Sequence, residues 1–452
     1  MKRNIIFTPF LMLLMTQFVG AQEQTALQVT LDEAIRIALE RNHDLAAARF
    51  EVSKADKQVK EAFGLALPSV DFAATYSRAL KRPVFFLPDF DDPESGRVVP
   101  IQIGSENSID LTFSARQVLF NSAVFTGVGT AKIYSEAAHD LYQAKENATV
   151  ASVRRAFYSV LLAGEGRTIM HSTLKNAEEN LKNARVLSSA GLVSEYDALR
   201  AEVSYENLKP DVMKAEDDYV LALNTLRIAM GISAEQPLEV VGLLQPDIVD
   251  EQHLTNAVED AVKMNPSLEA LRKQTDVSEA IVSIERSNYL PTLSAFGNYQ
   301  LQAQKNQFNF STNDFIGSSV VGVNLSFNIF KGFQTNARVE QATLDHRRSQ
   351  EQLASMESTL RTQVESMILR LRWAQKQIGV HEKTIAQAEK GYRIVSTRFA
   401  SGSGTQLEVN DAQLALNRAQ VNRIEAIYQY LLAATDIEQA LGGLNKHSRK
   451  IQ

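Results

Sequence analysis

Two hydrophobic periods alternate along this chain. From Leu31, the apolar residues Leu31, Ala34, Ile35, Ala38 and Leu39 recur three and four positions apart, which is one face of a helix. Thr30 is placed to cap that helix, and Glu33, three residues on, completes a capping box. The pattern continues towards Phe63 and predicts one helix ending before Pro68, because the residue before a proline is pushed out of the α region. The period then falls to two. Val70, Phe72, Ala74 and Tyr76 alternate with polar or small residues, and after a loop Ile109, Leu111, Phe113 and Ala115 do the same. Strands with one apolar and one polar face fit a half-buried sheet or the wall of a membrane barrel, which needs about 9–11 residues per strand.

The whole alternation is written twice. Asn42 and Asn265, Pro68 and Pro291, and Tyr76 and Tyr299 all stand 223 positions apart, and Leu31-Asp32-Glu33-Ala34-Ile35 is matched by Leu254-Thr255-Asn256-Ala257-Val258. A period this long marks a duplicated half-molecule rather than a solenoid. In the second half, Leu293, Ala295, Gly297 and Tyr299 predict one strand, and Val321, Val323, Leu325, Phe327 and Ile329 the next.

Each half continues into a very long helical stretch, from about Val124 to Ser188 and from about Thr335 to Ala400. At ~1.5 Å per residue, about 65 residues make a rod near 100 Å long. Leu174, Ala177, Leu181 and Ala184 trace a narrow stripe of coiled-coil type. The rods turn at Gly191-Leu192-Val193-Ser194 and at Gly402-Ser403-Gly404-Thr405, where glycine suits the end of one helix and Ser or Thr the cap of the next. Return helices follow, ending at Gly231 and Gly442, and Pro210 is expected to kink or break the first of them. The expected division is a leader over 1–21, a first repeat over 22–231 with its hairpin at 68–120 and tip at 189–195, a linker over 232–252 holding a short strand at 238–241, a second repeat over 253–445 with its hairpin at 291–330 and tip at 400–406, and a tail over 446–452. The first strand–strand loop, Lys81 to Pro100, is some 13 residues longer than its counterpart and reads as a tolerated surface insertion.

Composition narrows the class. Lys2 and Arg3 precede an apolar run from Ile5 to Val19, with a small-residue site at Val19-Gly20-Ala21, which predicts an export signal cleaved after Ala21. No later segment reaches the ~18 apolar residues of a membrane-spanning helix. The absence of cysteine excludes disulfides, thiolate metal sites and a cysteine nucleophile. Without Lys2 and Arg3 there are 45 basic and 53 acidic residues, a net charge of −8, which argues against nucleic acid as a partner. The histidines at 43, 139, 171, 253, 346, 381 and 447 show no metal-ligand spacing. Gly127-Val128-Gly129-Thr130-Ala131-Lys132 lacks the remaining residues of either nucleotide-binding loop. No catalytic constellation, cofactor site or metal site is expected, and the chain is not expected to be an enzyme.

Four strands cannot close a membrane barrel, since about eight is the minimum, and unpaired edges are forbidden in lipid. Membrane strands therefore require oligomerisation. Three copies supply twelve strands, and their helices form one tube. The main competing reading is a periplasmic coiled-coil scaffold without transport activity.

The chain resembles the TolC family of outer-membrane efflux ducts over essentially its whole mature length. The resemblance rests on Leu31-x-x-Ala34 with Asn42, on Asn265-Pro266-x-Leu268, on Leu67-Pro68 and Leu290-Pro291 before the strands, and on the Gly191-x-x-Ser194 and Gly402-x-x-Thr405 turns, all in order and at constant spacing. It implies a mainly α protein with a membrane β part: a homotrimer whose 12-stranded β-barrel continues into a 12-helix periplasmic α-barrel. It implies residence in the outer membrane of a Gram-negative bacterium with a large periplasmic part. The implied partners are a periplasmic adaptor protein and an inner-membrane efflux pump or ABC transporter. By the same resemblance, Gly191, Leu192, Val193, Ser194, Gly402, Ser403, Gly404 and Thr405 are the adaptor-docking tips. Glu408 and Asp411, three apart on one helix face, match the family's acidic constriction. The first repeat has Asp197 and Arg200 there instead, so any acidic ring comes from the second repeat.

Overall fold

The computed structural model describes residues 26–88, 91, 94, 96–246 and 254–443. The expected leader, the tail over 446–452, Phe90 of the long loop and residues 247–253 of the linker region lie outside the described residues.

The chain opens with β1 (Leu27–Val29), α1 (Leu31–Arg41) and α2 (His43–Gly64). The capping box is present at Thr30 and Glu33, but the single helix expected from 31 to 63 is two helices broken at Asn42. The break arises because Asn42 takes an extended conformation and turns its side chain on the next helix. Its Oδ1 accepts from Leu45 N at 3.0 Å and its Nδ2 donates to Ala229 O at 3.1 Å. The second half repeats the device. There α5 (Ala257–Met264) and α6 (Pro266–Arg286) break at Asn265, which accepts from Leu268 N at 3.1 Å and donates to Ala440 O at 3.0 Å.

The strands are β2 (Ser69–Arg78) and β5 (Asn107–Phe120) in the first half, β7 (Thr292–Lys305) and β8 (Ile316–Ser326) in the second. They form one antiparallel sheet in the order β2-β5-β7-β8, so the two repeats join in a single wall. The last strand was expected to reach Ile329 but ends at Ser326, where pairing with Thr292 closes the ladder; Phe327 and Ile329 stand exposed beyond it. The long first loop contains a two-stranded ribbon, β3 (Val84–Pro88) and β4 (Val98–Gln102), which the surface-insertion reading did not anticipate. The linker strand β6 (Leu238–Val240) pairs in parallel with β1, fastening the linker to the start of the first repeat.

The rods are α3 (Ser122–Ser189) and α7 (Gln334–Ala400), and the return helices are α4 (Glu195–Met230) and α8 (Gln406–Ala440). The break expected as one outcome at Pro210 does not occur: α4 runs through it as a single helix. Pro210 and Glu206, whose carbonyl loses its helical donor, both lie on the exposed face. Water can satisfy that carbonyl, so the lost bond does not end the helix.

Each repeat has its own core. Val150, Val153, Phe157, Leu226 and Met230 pack with Ala34, Ile35 and Ala38 in the first; Leu268, Val364, Leu371, Ile427 and Tyr430 form the second. Charged contacts join them. Arg154 Nη1 meets Glu438 Oε2 and Arg155 Nη2 meets Asp436 Oδ1, both at 2.7 Å, between α3 and α8. Lys273 Nζ of α6 meets Asp140 Oδ2 of α3 at 2.7 Å, and this carboxylate holds the ammonium above its ordinary value. A third, smaller core of Leu181, Ala184, Ala201, Phe399 and Val409 draws on all four long helices near their turns.

Candidate functional site: the strand wall and the helical tips

The sheet has two chemically distinct faces, and its register decides which residues share each. Phe72 faces Phe113, which faces Tyr299; Ala74 faces Leu111, which faces Leu301; and Leu293, Ala295 and Gly297 face Leu325, Val323 and Val321. Phe72 and Phe113 stack with ring centroids 4.7 Å apart. This face is mostly apolar, with Gln117 opposite Ala295 and Ser319 opposite Tyr299 as polar exceptions, and Val70, Phe72, Val321, Val323 and Leu325 are exposed on it. The other face carries Asp71, Thr75, Asp110, Thr112, Ser114, Asn298, Gln300, Gln302, Gln304, Ser318 and Asn324 in the same ladders. There Asp110 accepts from Ser108 Oγ at 2.8 Å and from Gln300 Nε2 at 3.2 Å. One wall thus separates an apolar side from a hydrated side. Its outermost strands β2 and β8 leave one edge each unpaired within the chain. The polar face has one tight aromatic contact: Phe296 lies over Gly322, where a Cβ would sit 2.8 Å from its ring.

The tips form at the far ends of the rods. α3 ends at Ala190; Gly191 takes φ +72°, and Leu192 N donates back to Leu187 O at 2.9 Å. Ser194 then caps α4, accepting from Asp197 N and donating to Asp197 Oδ2 at 2.6 Å. In the second repeat Gly402 takes φ +75° and Ser403 N donates to Arg398 O at 2.9 Å. Gly404 lies so close to the rod's last turn that a Cβ would stand 3.0 Å from Phe399 N. Thr405 caps α8 in a capping box with Glu408: Glu408 N donates to Thr405 Oγ1 at 3.3 Å, and Thr405 N donates to Glu408 Oε2 at 3.0 Å. The two turns lie side by side, since a Cβ on Gly402 would be 3.9 Å from that of Leu192. Leu192 is exposed, whereas Val193 packs on the core around Phe399. Glu408 is half-buried and engaged in its cap; Asp411, one turn on, is exposed.

Behind the tips lies a feature that sequence reasoning missed. Gln406, Asn410, Gln413 and Asn417 recur at four, three and four positions on α8 and line a cavity of about 220 Å³ with Thr173, Asn180 and Ser204. Gln406 Nε2 donates to Asn410 Oδ1 at 2.9 Å, and Gln413 Nε2 to Asn417 Oδ1 at 2.8 Å. Asn410 to Ser204 and Thr173 to Asn417 cross to the other hairpin. Nearby, Asn180 donates to the Tyr392 hydroxyl at 3.2 Å, and burial raises that phenol's pKa. The seven-residue recurrence of amides was the available signal; a heptad search confined to apolar residues passes over it. The histidines are dispersed. His346 Nδ1 lies 2.9 Å from Ser278 Oγ, and no metal-binding group of three or more His, Cys, Asp or Glu occurs among the described residues. No helix among them is long and apolar enough to cross a membrane.

Comparison with known proteins supplies the wider context. Residues 34–232 and 257–443 match the family model described as outer membrane efflux protein. The outer membrane protein TolC of Vibrio cholerae is 23% identical over 348 residues, spanning 75% of this chain and 77% of that one. The cobalt-zinc-cadmium resistance protein CzcC of Cupriavidus metallidurans is 23% identical over 426 residues, spanning 92% and 90%. Among solved structures, the outer membrane protein VceC from Vibrio cholerae superposes with a TM-score of 0.76 at 15% identity, covering 91% of this chain and 96% of that one. That likeness establishes the fold.

Proposed function

The chain belongs to the outer membrane efflux protein family, and on that premise we propose that three copies close into one duct leading from the periplasm through the outer membrane. The observation that carries this reading is the four-stranded sheet with two open edges and one apolar face. In lipid, every strand-edge N–H and C=O needs a partner. β2 of one copy and β8 of the next are 10 and 11 residues long, enough to cross a bilayer when tilted. Pairing them around a threefold axis gives twelve strands, an even number within the range of closed barrels. The apolar face then meets lipid, and the row of Asp, Thr, Ser, Asn and Gln lines water. The same axis gathers the rods and return helices into a tunnel of twelve helices, about 100 Å long at ~1.5 Å per residue.

Conduction through such a duct is passive: no nucleotide site or catalytic group is needed, and the lining offers polar contact without a specific pocket. In this proposal the tips are the periplasmic entrance. Leu192 of each copy is an apolar knob available to an adaptor, and the turn at Gly402 to Thr405 lies beside it. Glu408 and Asp411 from three copies make a ring of six carboxylates whose negative potential favours and binds cations. An inner-membrane pump with its adaptor would open this entrance by parting the second hairpin from the first. The amide seam favours such a movement, because few side-chain bonds cross it.

The size of the detergent-solubilised complex tests the duct. Light scattering with the detergent contribution subtracted should give a mass three times that of the mature chain. A monomer or dimer retaining native strand content would end the proposal, since four or eight strands from such a species cannot leave this tunnel behind them.

A further inference from the structure

Beyond its base, where Gln102 stands opposite Val84 and accepts from Arg82 Nη2 at 2.8 Å, the β3–β4 ribbon is apolar on both faces. Register places Phe86 opposite Pro100 and Pro88 opposite Val98 on one side, and Phe85 opposite Ile101 and Leu87 opposite Val99 on the other. Val84, Phe85, Phe86, Val98 and Ile101 are all exposed in the single chain, Phe86 at 71%. Isolated two-stranded ribbons are marginal in water, and an antiparallel pair usually keeps one polar face. Something must cover both sides. The ribbon's position limits what that can be. β2 starts at Ser69, just beyond α2, and ends at Arg78, so the ribbon rises from the end of the sheet opposite the helices. It grows from β2, the edge strand that has to pair with another copy, and so stands at each junction between copies.

We propose that the ribbons of three copies converge over the outer mouth of the barrel and pack around the threefold axis, each setting one apolar face against one neighbour and the other face against the second. This inference rests on the trimeric duct proposed above. Reach permits it. Twelve strands spaced ~4.8 Å and tilted ~40° enclose a barrel of radius about 12 Å. A five-residue strand is about 17 Å long, so each ribbon extends from the rim to the axis. Two-sidedness selects this arrangement over others. A ribbon laid on the membrane or against one partner molecule covers a single face, whereas a closed ring of three gives every ribbon a neighbour on both sides through a heterologous, self-closing contact. The cluster is a second barrier, apolar and at the exterior end, distinct from the acidic ring at the periplasmic tips. Apolar constrictions of this kind close by excluding water.

The chain has no cysteine, so introduced thiols report without background. Phe86 and Ile101 lie on opposite faces and cannot pair within one ribbon. In isolated outer membranes oxidised with copper phenanthroline, the double variant Phe86→Cys/Ile101→Cys should convert most of its monomer band on a denaturing gel to a covalent trimer. Each single variant should give no covalent trimer. A second pair on opposite faces, Leu87→Cys/Val98→Cys, guards against a folding defect specific to the first. Unheated trimers that yield only monomers after oxidation and denaturation, in both double variants, overturn the proposal. Labelling of those thiols by a membrane-impermeant maleimide then identifies solvent exposure, and resistance to labelling identifies lipid or another protein as the cover. Absence of unheated trimers for the unmodified chain would remove the trimeric reading itself, and the ribbon proposal with it.

Discussion

Replacing Gly231 by alanine should loosen the joint that anchors the first return helix. Gly231 ends α4 at φ +72°, ψ +30°, and an added Cβ would lie 2.6 Å from Arg41 O and 2.9 Å from Asn42 Cα. A left-handed alanine costs about 1–2 kcal/mol. Relieving contact with a backbone carbonyl, which has no rotamer to change, adds about 1–2 kcal/mol by analogy with overpacked cores. The total is about 2–4 kcal/mol. It acts where Asn42 Nδ2 bonds Ala229 O, so displacing the α1–α2 break weakens that bond as well. Hydrogen exchange read by mass spectrometry on the purified protein measures the effect locally. Peptides covering 38–46 and 227–236 should exchange about 30- to 900-fold faster, since each ~1.4 kcal/mol of opening free energy is a factor of ten. Gly166→Ala is the control: this helical glycine has no neighbour within 4 Å of its would-be Cβ, and alanine there favours the helix by up to about 1 kcal/mol. The reasoning is refuted if Gly231→Ala exchanges within twofold of the unmodified protein, or if Gly166→Ala accelerates exchange as much. Gly442→Ala, whose Cβ would meet Met264 O at 2.7 Å and Pro266 Cδ at 3.0 Å, should reproduce the effect in the second repeat.

Other consequences are equally direct. Gly322→Ala should lower the temperature at which the oligomer dissociates on a gel, because its methyl enters the Phe296 ring; the cost is about 1–3 kcal/mol, and Phe296→Ala in the same chain should recover part of it. Glu408→Ala/Asp411→Ala should raise single-channel conductance in planar bilayers and abolish block by divalent cations, and unchanged values of both would remove the gate assignment. Glu408→Gln separates charge from capping: its amide oxygen can still accept from Thr405 N, so cation block should weaken while the tip loses much less of the ~1 kcal/mol that a cap supplies. Lys273 provides a pH dependence. Asp140 raises the pKa of Lys273 above 10.5, so the stabilisation is complete below that pH and is lost as pH rises through the higher folded value. Thermal midpoints by circular dichroism should therefore fall more steeply above pH 10.5 in the unmodified protein than in Lys273→Met, a difference of about 1 kcal/mol or less for a partly exposed pair.

The duplication, the rods, both glycine turns and the alternating strands were legible in the sequence because each depends on a local period or a local backbone demand. A long 3.6-residue pattern free of proline signals a helix from the sequence alone, and Gly191 and Gly402 end theirs through conformations available locally. The capping residues Thr30, Ser194 and Thr405 act within one turn and were found the same way. Where local rules conflicted with distant partners, the tertiary structure decided. Asn42 breaks its helix with the help of Ala229, which is 187 positions away, and Pro210 is tolerated because the carbonyl it leaves without a donor, that of Glu206, lies on the exposed face. The β3–β4 ribbon lies within one local stretch but lacks the polar–apolar alternation that marks a strand, and β1 finds β6 more than 200 residues later, a pairing no short window contains. The double life of Glu408, as cap and as a member of the proposed ring, also became visible only with side chains in place. The sequence by itself determined that two similar half-molecules would each make a strand pair and a helical hairpin. The tertiary structure alone decided that these merge into one four-stranded wall with two open edges, because edge pairing is a long-range choice that periodicity does not encode.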